Sequence, residues 1–300
     1  MRRMSLIAVT GVLAAGLGLS ACGSDSMAPT TPAAGGATAA ATGSGPDAAL
    51  VAKLPAKIKS AGKIVVGIDP TYAPNEMLAA DGKTVEGFDV DLFNAVAAKF
   101  GVTAEYVPSS FDSIILGVTG GKFDIGVSSF TVNPERKKQV NMVSYYSAGT
   151  QWIVPTGNPK GVKIDEACGL SIGVQKGTVQ LDDLTARSKT CTDAGKPEIK
   201  QIIQEGQDQV TADLVGGKTA AMLADSPVGL YAVKQTGKLE PLGDIYDSAP
   251  YGYVLPKDAT DFANAVVDAL KAAEADGSYE AALKKYSVEA GGISDFALNP

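Results

Sequence analysis

The sequence runs to 300 residues, with 26 basic and 33 acidic side chains, a net charge of −7, three cysteines and no histidine. The acidic balance argues against nucleic acid or anionic lipid as a partner. The lack of histidine excludes serine-hydrolase triads and histidine-ligated metals, and the cysteines show no CxxC spacing, so no metal or other cofactor is expected.

Arg2 and Arg3 precede an apolar stretch from Leu6 to Leu19, too short to span a bilayer comfortably and followed by small residues, which is the pattern of a secretory signal. It ends in Leu19-Ser20-Ala21-Cys22, which looks like a bacterial lipobox. Residues 1–22 are therefore expected to be a lipoprotein signal, with Cys22 lipidated as the first mature residue. An ordinary cleaved signal with a chance cysteine is the alternative. Setting Arg2 and Arg3 aside leaves 24 basic residues against 33 acidic ones, near −9.

Residues 23–48 are built from Ala, Gly, Ser, Thr and Pro, with Asp25 and Asp47 as the only charges. No periodic apolar face exists there to bury, so a disordered tether is predicted. A coil of that length reaches roughly 25–30 Å, which sets the folded part just off a membrane surface. No later apolar run is long enough to cross a membrane, so the expected place is extracytoplasmic, with the membrane touched only through a lipid anchor. Roughly 250 residues remain, enough for one large domain or two ordinary ones. Two cysteines in an exported chain usually pair, so Cys168 and Cys191 are expected to be bridged, two free buried thiols being the alternative. A bridge closing that loop contributes about 3 kcal/mol.

From Lys63 onward short apolar runs alternate with helical patterns. KIVVGI (63–68) reads as a buried strand ending at Asp69, with Tyr72 just after. DVDLFNAVAAKFG (89–101) reads as a helix with an acidic start, apolar Leu92, Phe93, Val96 and Phe100, and Gly101 as its stop. Phe111 follows two serines in SSFDSIILG; such a residue is core in most proteins, and its place ahead of the apolar run also suits a rim. FDIGV (123–127) is a strand that runs into SSFTVNPERKK (128–138), where Ser128, Ser129 and Thr131 precede Arg136. That stretch is either a solvated loop or a site for a carboxylate. LSIGV (170–174) leads to QKGTVQ (175–180), where Gly177 and Thr178 open a helix whose N–H groups favour an anion, a plain N-cap being equally consistent. TAAMLA (219–224) is a further strand. Alternation of this kind predicts α/β layers with largely parallel sheets.

GGKFDIGVSS (120–129) and GGKTAAMLAD (216–225) form a weak internal repeat that places Ser129 and Asp225 at the same step. Two equivalent strand ends, one with a hydroxyl and one with a carboxylate, suggest two similar lobes facing each other, since ligands in open α/β sheets sit beyond the carboxyl ends of strands.

These residues together resemble the family 3 extracellular solute-binding proteins of polar amino-acid ABC transporters. The resemblance covers Lys63 to Tyr286 and is carried by GIDPTYAPNE (67–76), GFDVDLFNAVAAKFG (87–101), GKFDIGVSSFTVNPERKK (121–138), IGVQKGT (172–178) and ADGSYEAALKKY (275–286). It implies a type II periplasmic-binding-protein fold: two α/β lobes, 62–148 plus 249–300 and 149–248, joined by two hinge strands and closing over an amino acid. Arg136 matches the arginine that pairs with the ligand α-carboxylate. Ser129 and Thr131 match its hydroxyl and backbone helpers, with Thr178, after Gly177, donating from the other lobe. Asp225 matches the acid that receives the α-ammonium, and Tyr72 and Phe111 match the walls around the side chain. Asp69 matches an acid that faces the ligand's cationic end in the histidine- and lysine/arginine/ornithine-binding members, and Ser128 and Gln180 match side-chain contacts there. This leans toward a basic amino acid, with Asp69 as a structural turn acid in DPTY the alternative. The chain departs from the pattern at Asn75, which replaces the usual aromatic of YAPFE, and at Gln175 and Val179 in the pocket lining.

The function implied is a monomeric binding protein, without catalysis, that hands a polar amino acid to an ABC permease. Two other readings share the fold: a ligand sensor that reports closure to a membrane receptor, and an enzyme like the cyclohexadienyl dehydratases, with Glu76 cast as its acid.

Overall fold

The computed structural model describes residues 45–300, so the signal, Cys22 and the tether up to residue 44 lie outside the described residues. Two short helices come first, α1 (Ala48–Lys53) and α2 (Ala56–Ala61). Asp47 caps α1 by accepting from the Ala49 and Leu50 amides, so the end expected of the tether is already structured. The cause is the apolar series Leu50, Leu54 and Ile58, which recurs at helical spacing and is buried.

The elements that follow are β1 (Lys63–Ile68), β2 (Thr71–Tyr72), β3 (Glu76–Leu78), β4 (Val85–Glu86), α3 (Phe88–Lys99), β5 (Thr103–Pro108), α4 (Phe111–Thr119), β6 (Ile125–Thr131), α5 (Pro134–Gln139) and β7 (Val140–Pro155). Next come β8 (Ser171–Gln175), α6 (Val179–Asp193), β9 (Lys200–Gln204), α7 (Gln207–Val215), β10 (Ala221–Asp225), α8 (Ser226–Thr236), β11 (Leu239–Pro256), α9 (Thr260–Ala275) and α10 (Ser278–Tyr286).

Eight strands form one sheet in the order β5-β1-β6-β11-β7-β10-β8-β9, and β2, β3 and β4 form a small antiparallel one. Pairing is parallel within each flank, β5-β1-β6 and β10-β8-β9. The expectation of largely parallel sheets fails at the centre, where β7 and β11 are long antiparallel partners that run from one flank to the other. Their register shifts between Leu242 and Tyr246 and again between Tyr246 and Ala249, opposite Thr150 and Ala148. Such irregularities bend and twist a strand pair. These are the two hinge strands of a two-lobed α/β fold.

Each lobe has its own core. In lobe 1, α3 and α9 bring Phe93, Val96, Val266 and Leu270 against Ile64, Tyr145 and Tyr253. In lobe 2, Trp152, Ile172, Val174, Leu184 and Leu223 pack together. Cys168 and Cys191 are disulfide-bonded there, with Cα atoms 5.6 Å apart, joining the approach to β8 to α6.

The internal repeat is a shared device. Helices α4 and α7 end in Gly120 and Gly216, the next glycines have φ +74° and +76°, and a strand follows. Only glycine enters that backbone region at little cost. Strand β6 starts two residues later than FDIGV and continues through Thr131, because β11 pairs Gly252 with Phe130 and Tyr251 with Thr131. The hydroxyl row thus belongs to a strand and not to a loop.

Candidate functional site

The strand ends of both lobes meet around one small cavity, about 10 Å³, lined by Tyr72, Phe111, Ser129, Thr131, Arg136, Gln175, Thr178, Val179, Gln180 and Asp225. Eight of these, all but Gln175 and Val179, are among the expected ligand contacts. That volume is about one water molecule's worth, so an amino acid enters only when the lobes part.

Arg136 comes from α5. The sequence Asn133-Pro134-Glu135-Arg136 starts that helix: Asn133 is the N-cap, accepting from the Arg136 amide at 2.8 Å, and Pro134 sits at the first helical position. The guanidinium donates from one nitrogen to the Thr131 carbonyl at 2.8 Å and from the other to the Gly177 carbonyl of lobe 2 at 3.1 Å. It lies over the stacked rings of Phe111 and Phe130, 5.4 and 5.5 Å from their centres. Burial lowers its pKa to about 10, with Asp225 and Asp182 opposing the shift, so it stays charged.

Asp225 ends β10 across the cleft. One oxygen accepts from the Tyr72 hydroxyl at 2.8 Å and the other from the Gln180 amide at 2.7 Å. Burial raises its pKa, while those hydrogen bonds and the Arg136 charge hold it down. A cation and an anion on opposite lobes line a single cavity, each hydrogen-bonded to groups of the protein. A carboxylate suits the planar guanidinium fork and an ammonium suits the carboxylate.

Thr178 is the N-cap of α6: its hydroxyl donates to the Gln175 carbonyl at 2.8 Å and accepts from the Leu181 amide, so the plain-cap reading describes the hydroxyl. Gly177, with φ +76°, permits the turn and supplies a carbonyl to Arg136. Asp69 does not line the cavity. Its oxygens accept from the Thr71 and Phe111 amides, each at 3.2 Å, and from the Gln175 side chain at 2.7 Å. Burial, the largest influence, pushes its pKa up to about 6. Ser128 also stands behind the lining, accepting from the Asp69 amide and donating to Glu76.

Glu76 and Asp89 are fully buried beneath the site. Asp89 accepts from the Ser129 amide at 3.0 Å, the Ser129 hydroxyl at 3.1 Å and the Tyr145 hydroxyl at 2.7 Å. Asn75, where the family pattern has an aromatic, donates to the Ser129 hydroxyl at 2.8 Å. Ser129 itself has φ +52°, the left-handed region that a non-glycine residue enters only when its surroundings hold it there. Sequence reasoning missed Asp89 and the role of Asn75. In α3 two positions apart means nearly opposite faces, so Asp89 turns inward while Asp91 faces out to Lys285.

A larger cavity, about 430 Å³, lies between the strand crossover, α8 and residues 286–292, with Lys234 as the only charged residue in its lining. A single cation cannot hold both ends of a zwitterion.

Residues 64–289 match the bacterial extracellular solute-binding proteins, family 3. The chain belongs to this family. Among its family 3 relatives, the arginine-binding protein ArgT of Corynebacterium glutamicum is 31% identical over 250 residues, which is 83% of this chain and 82% of that protein. An ancestral arginine-binding protein, solved bound to arginine, is 30% identical with a TM-score of 0.69, covering 75% of this chain and 98% of its own. The ancestral amino acid-binding protein AncCDT-1, described as a precursor of cyclohexadienyl dehydratase, is also 30% identical with a TM-score of 0.69, over 77% and 97% of the two chains.

Proposed function

We propose that this family 3 protein captures one amino acid between its lobes and delivers it to an ABC permease, as a monomer anchored through lipid on Cys22. The observation that carries the amino-acid reading is the pair Arg136 and Asp225, buried on opposite lobes of one cavity. A zwitterion satisfies both ends and ties the lobes together, and closure then becomes the state that a membrane partner reads. Catalysis is not part of this reading: Glu76, the residue cast as an enzyme's acid, lies behind Ser128 and does not line the cavity.

The ligand we assign is a basic amino acid of the arginine class. The Gln175 amide lines the cavity and occupies an Asp69 oxygen, so a guanidinium arriving there has a carboxylate to displace it onto. The arginine-binding relatives support the same class. A thermal-shift screen of the amino acids tests this: arginine is expected to raise the melting temperature most, because a ligand that binds only the folded state stabilises it. A screen in which no amino acid moves it refutes the reading.

A further inference from the structure

Behind the cavity lies a group of side chains that does not line it. The carboxyl groups of Glu76 and Asp89 converge on the Ser129 hydroxyl, which lies 3.4 Å from Glu76 Oε2 and 3.1 Å from Asp89 Oδ2, and both residues are 0% exposed. One Asp89 oxygen takes all three donors from Ser129 and Tyr145, and the other, Oδ1, receives none from the described residues. Glu76 accepts from Ser128 at 2.9 Å, while the single hydroxyl hydrogen of Ser129 goes to the nearer Asp89 oxygen. The titratable groups facing the pair are Asp69 from the end of β1, Tyr72 from β2, Tyr106 from β5, Tyr145 and Tyr146 from β7 and Tyr253 from β11. None is a cation, and burial keeps all five tyrosines protonated. Two carboxylates this close, fully buried and facing no cation do not both ionise.

We propose that Glu76 and Asp89 hold one proton between them, Glu76 donating it to Asp89 Oδ1, and that this pair is the positioning element that fixes Ser129 in its ligand-binding conformation. The anionic partner is needed because Ser129 presents both its amide and its hydroxyl to one Asp89 oxygen, and that double contact holds the left-handed backbone. The neutral partner is needed because a second charge repels Asp89 from that position. Ser129 and Thr131 follow one another along β6 toward Arg136, so a shift of Ser129 moves the cavity wall beside the guanidinium. Glu76 touches no ligand in this arrangement and acts through Ser129.

The inference deepens the amino-acid reading and rests on it for its second test only. The first test is ligand-free: infrared difference spectra at pH 7, wild type minus Glu76→Gln, are expected to show the C=O stretch of a protonated carboxylic acid. Its absence overturns the shared proton. The second titrates L-arginine into wild type, Glu76→Gln and Glu76→Ala. The amide keeps a neutral donor for Asp89, so Glu76→Gln is expected to bind within about threefold of wild type. Glu76→Ala leaves Oδ1 without its donor and is expected to bind about tenfold more weakly or worse. Glu76→Gln losing as much as Glu76→Ala overturns the proposal, as does Glu76→Ala binding like wild type. If Glu76→Ala does not fold, the infrared band and the Glu76→Gln titration decide. Failure of wild type itself to bind arginine refutes the ligand assignment and leaves the proton to the infrared result.

Discussion

Replacing Arg136 by alanine is expected to weaken every amino-acid ligand by the same factor. The guanidinium has five N–H donors, and the Thr131 and Gly177 carbonyls take one each. Three remain for a ligand, enough for a two-bond fork to a carboxylate. At about 1.5–3 kcal/mol per hydrogen bond to a charged group, the fork contributes about 3–6 kcal/mol. Truncating one partner of a buried charge pair costs about 2–5 kcal/mol, and the ranges overlap at about 3–5 kcal/mol. That overlap corresponds to a rise in Kd of roughly a hundred- to a few-thousand-fold. Arg136→Lys keeps the charge but not the fork, and is expected to lose about one of the two bonds, roughly ten- to a hundred-fold. The assay is calorimetric titration with arginine and with glutamine, on variants shown by circular dichroism to melt cooperatively. A loss for Arg136→Ala below about fivefold, or a loss for arginine far larger than for glutamine, would place the α-carboxylate elsewhere.

Asp69→Asn is expected to weaken arginine by about 1.5–3 kcal/mol and leave glutamine nearly unchanged; equal losses would make Asp69 a turn acid only. The same variant reports on pH. Asp69 is raised from 3.8 to about 6 in the folded protein, so the stability it contributes is complete below its unfolded pKa and is lost as pH rises through about 6. The difference in urea-unfolding free energy between wild type and Asp69→Asn should therefore fall by on the order of 3 kcal/mol between pH 4 and pH 7, and a difference that grows with pH contradicts the assignment. Cys168 and Cys191 close a loop with a sequence separation of 23. Replacing both by alanine should lower stability by about 3 kcal/mol, without changing arginine affinity in the fully folded protein. Gly149→Ala should hinder the crossover of the hinge strands, because a Cβ there meets Ile245, Ser248 and the Tyr246 carbonyl, each at 2.6 Å. Small-angle scattering with and without arginine is expected to show a smaller compaction than in wild type; an equal one refutes this.

How much of this was legible depends on how local each cause is. Arg136 was readable because its cap, proline and hydroxyl neighbours are contiguous, and Asp225 because the glycine-glycine-lysine repeat marks its strand. The disulfide needed only a count of cysteines and a compartment. The antiparallel centre was not readable: Pro241, Gly243, Asp247 and Pro250 make β11 read as loop, and its pairing with β7 joins residues about a hundred apart. Asp89 escaped because an acid in the first turn of a helix is the ordinary complement of the helix dipole. Only the fold shows that this one points inward to Ser129. Asp69 carries two meanings at once, since its oxygens serve the turn amide of Thr71 and the lobe 2 residue Gln175 together.

The path of β11 has a consequence for the order in which the protein matures. Its first half completes lobe 2, whereas Tyr251, Gly252 and Val254 in its second half supply the antiparallel partner of β6. Those residues leave the ribosome after every strand of lobe 2, and α9, which packs on lobe 1, leaves later still. During synthesis the strand bearing Ser128, Ser129 and Thr131 therefore waits with one edge unpaired while every strand of the neighbouring lobe is already present. The chain has no route to a competent binding cleft until β11 is through.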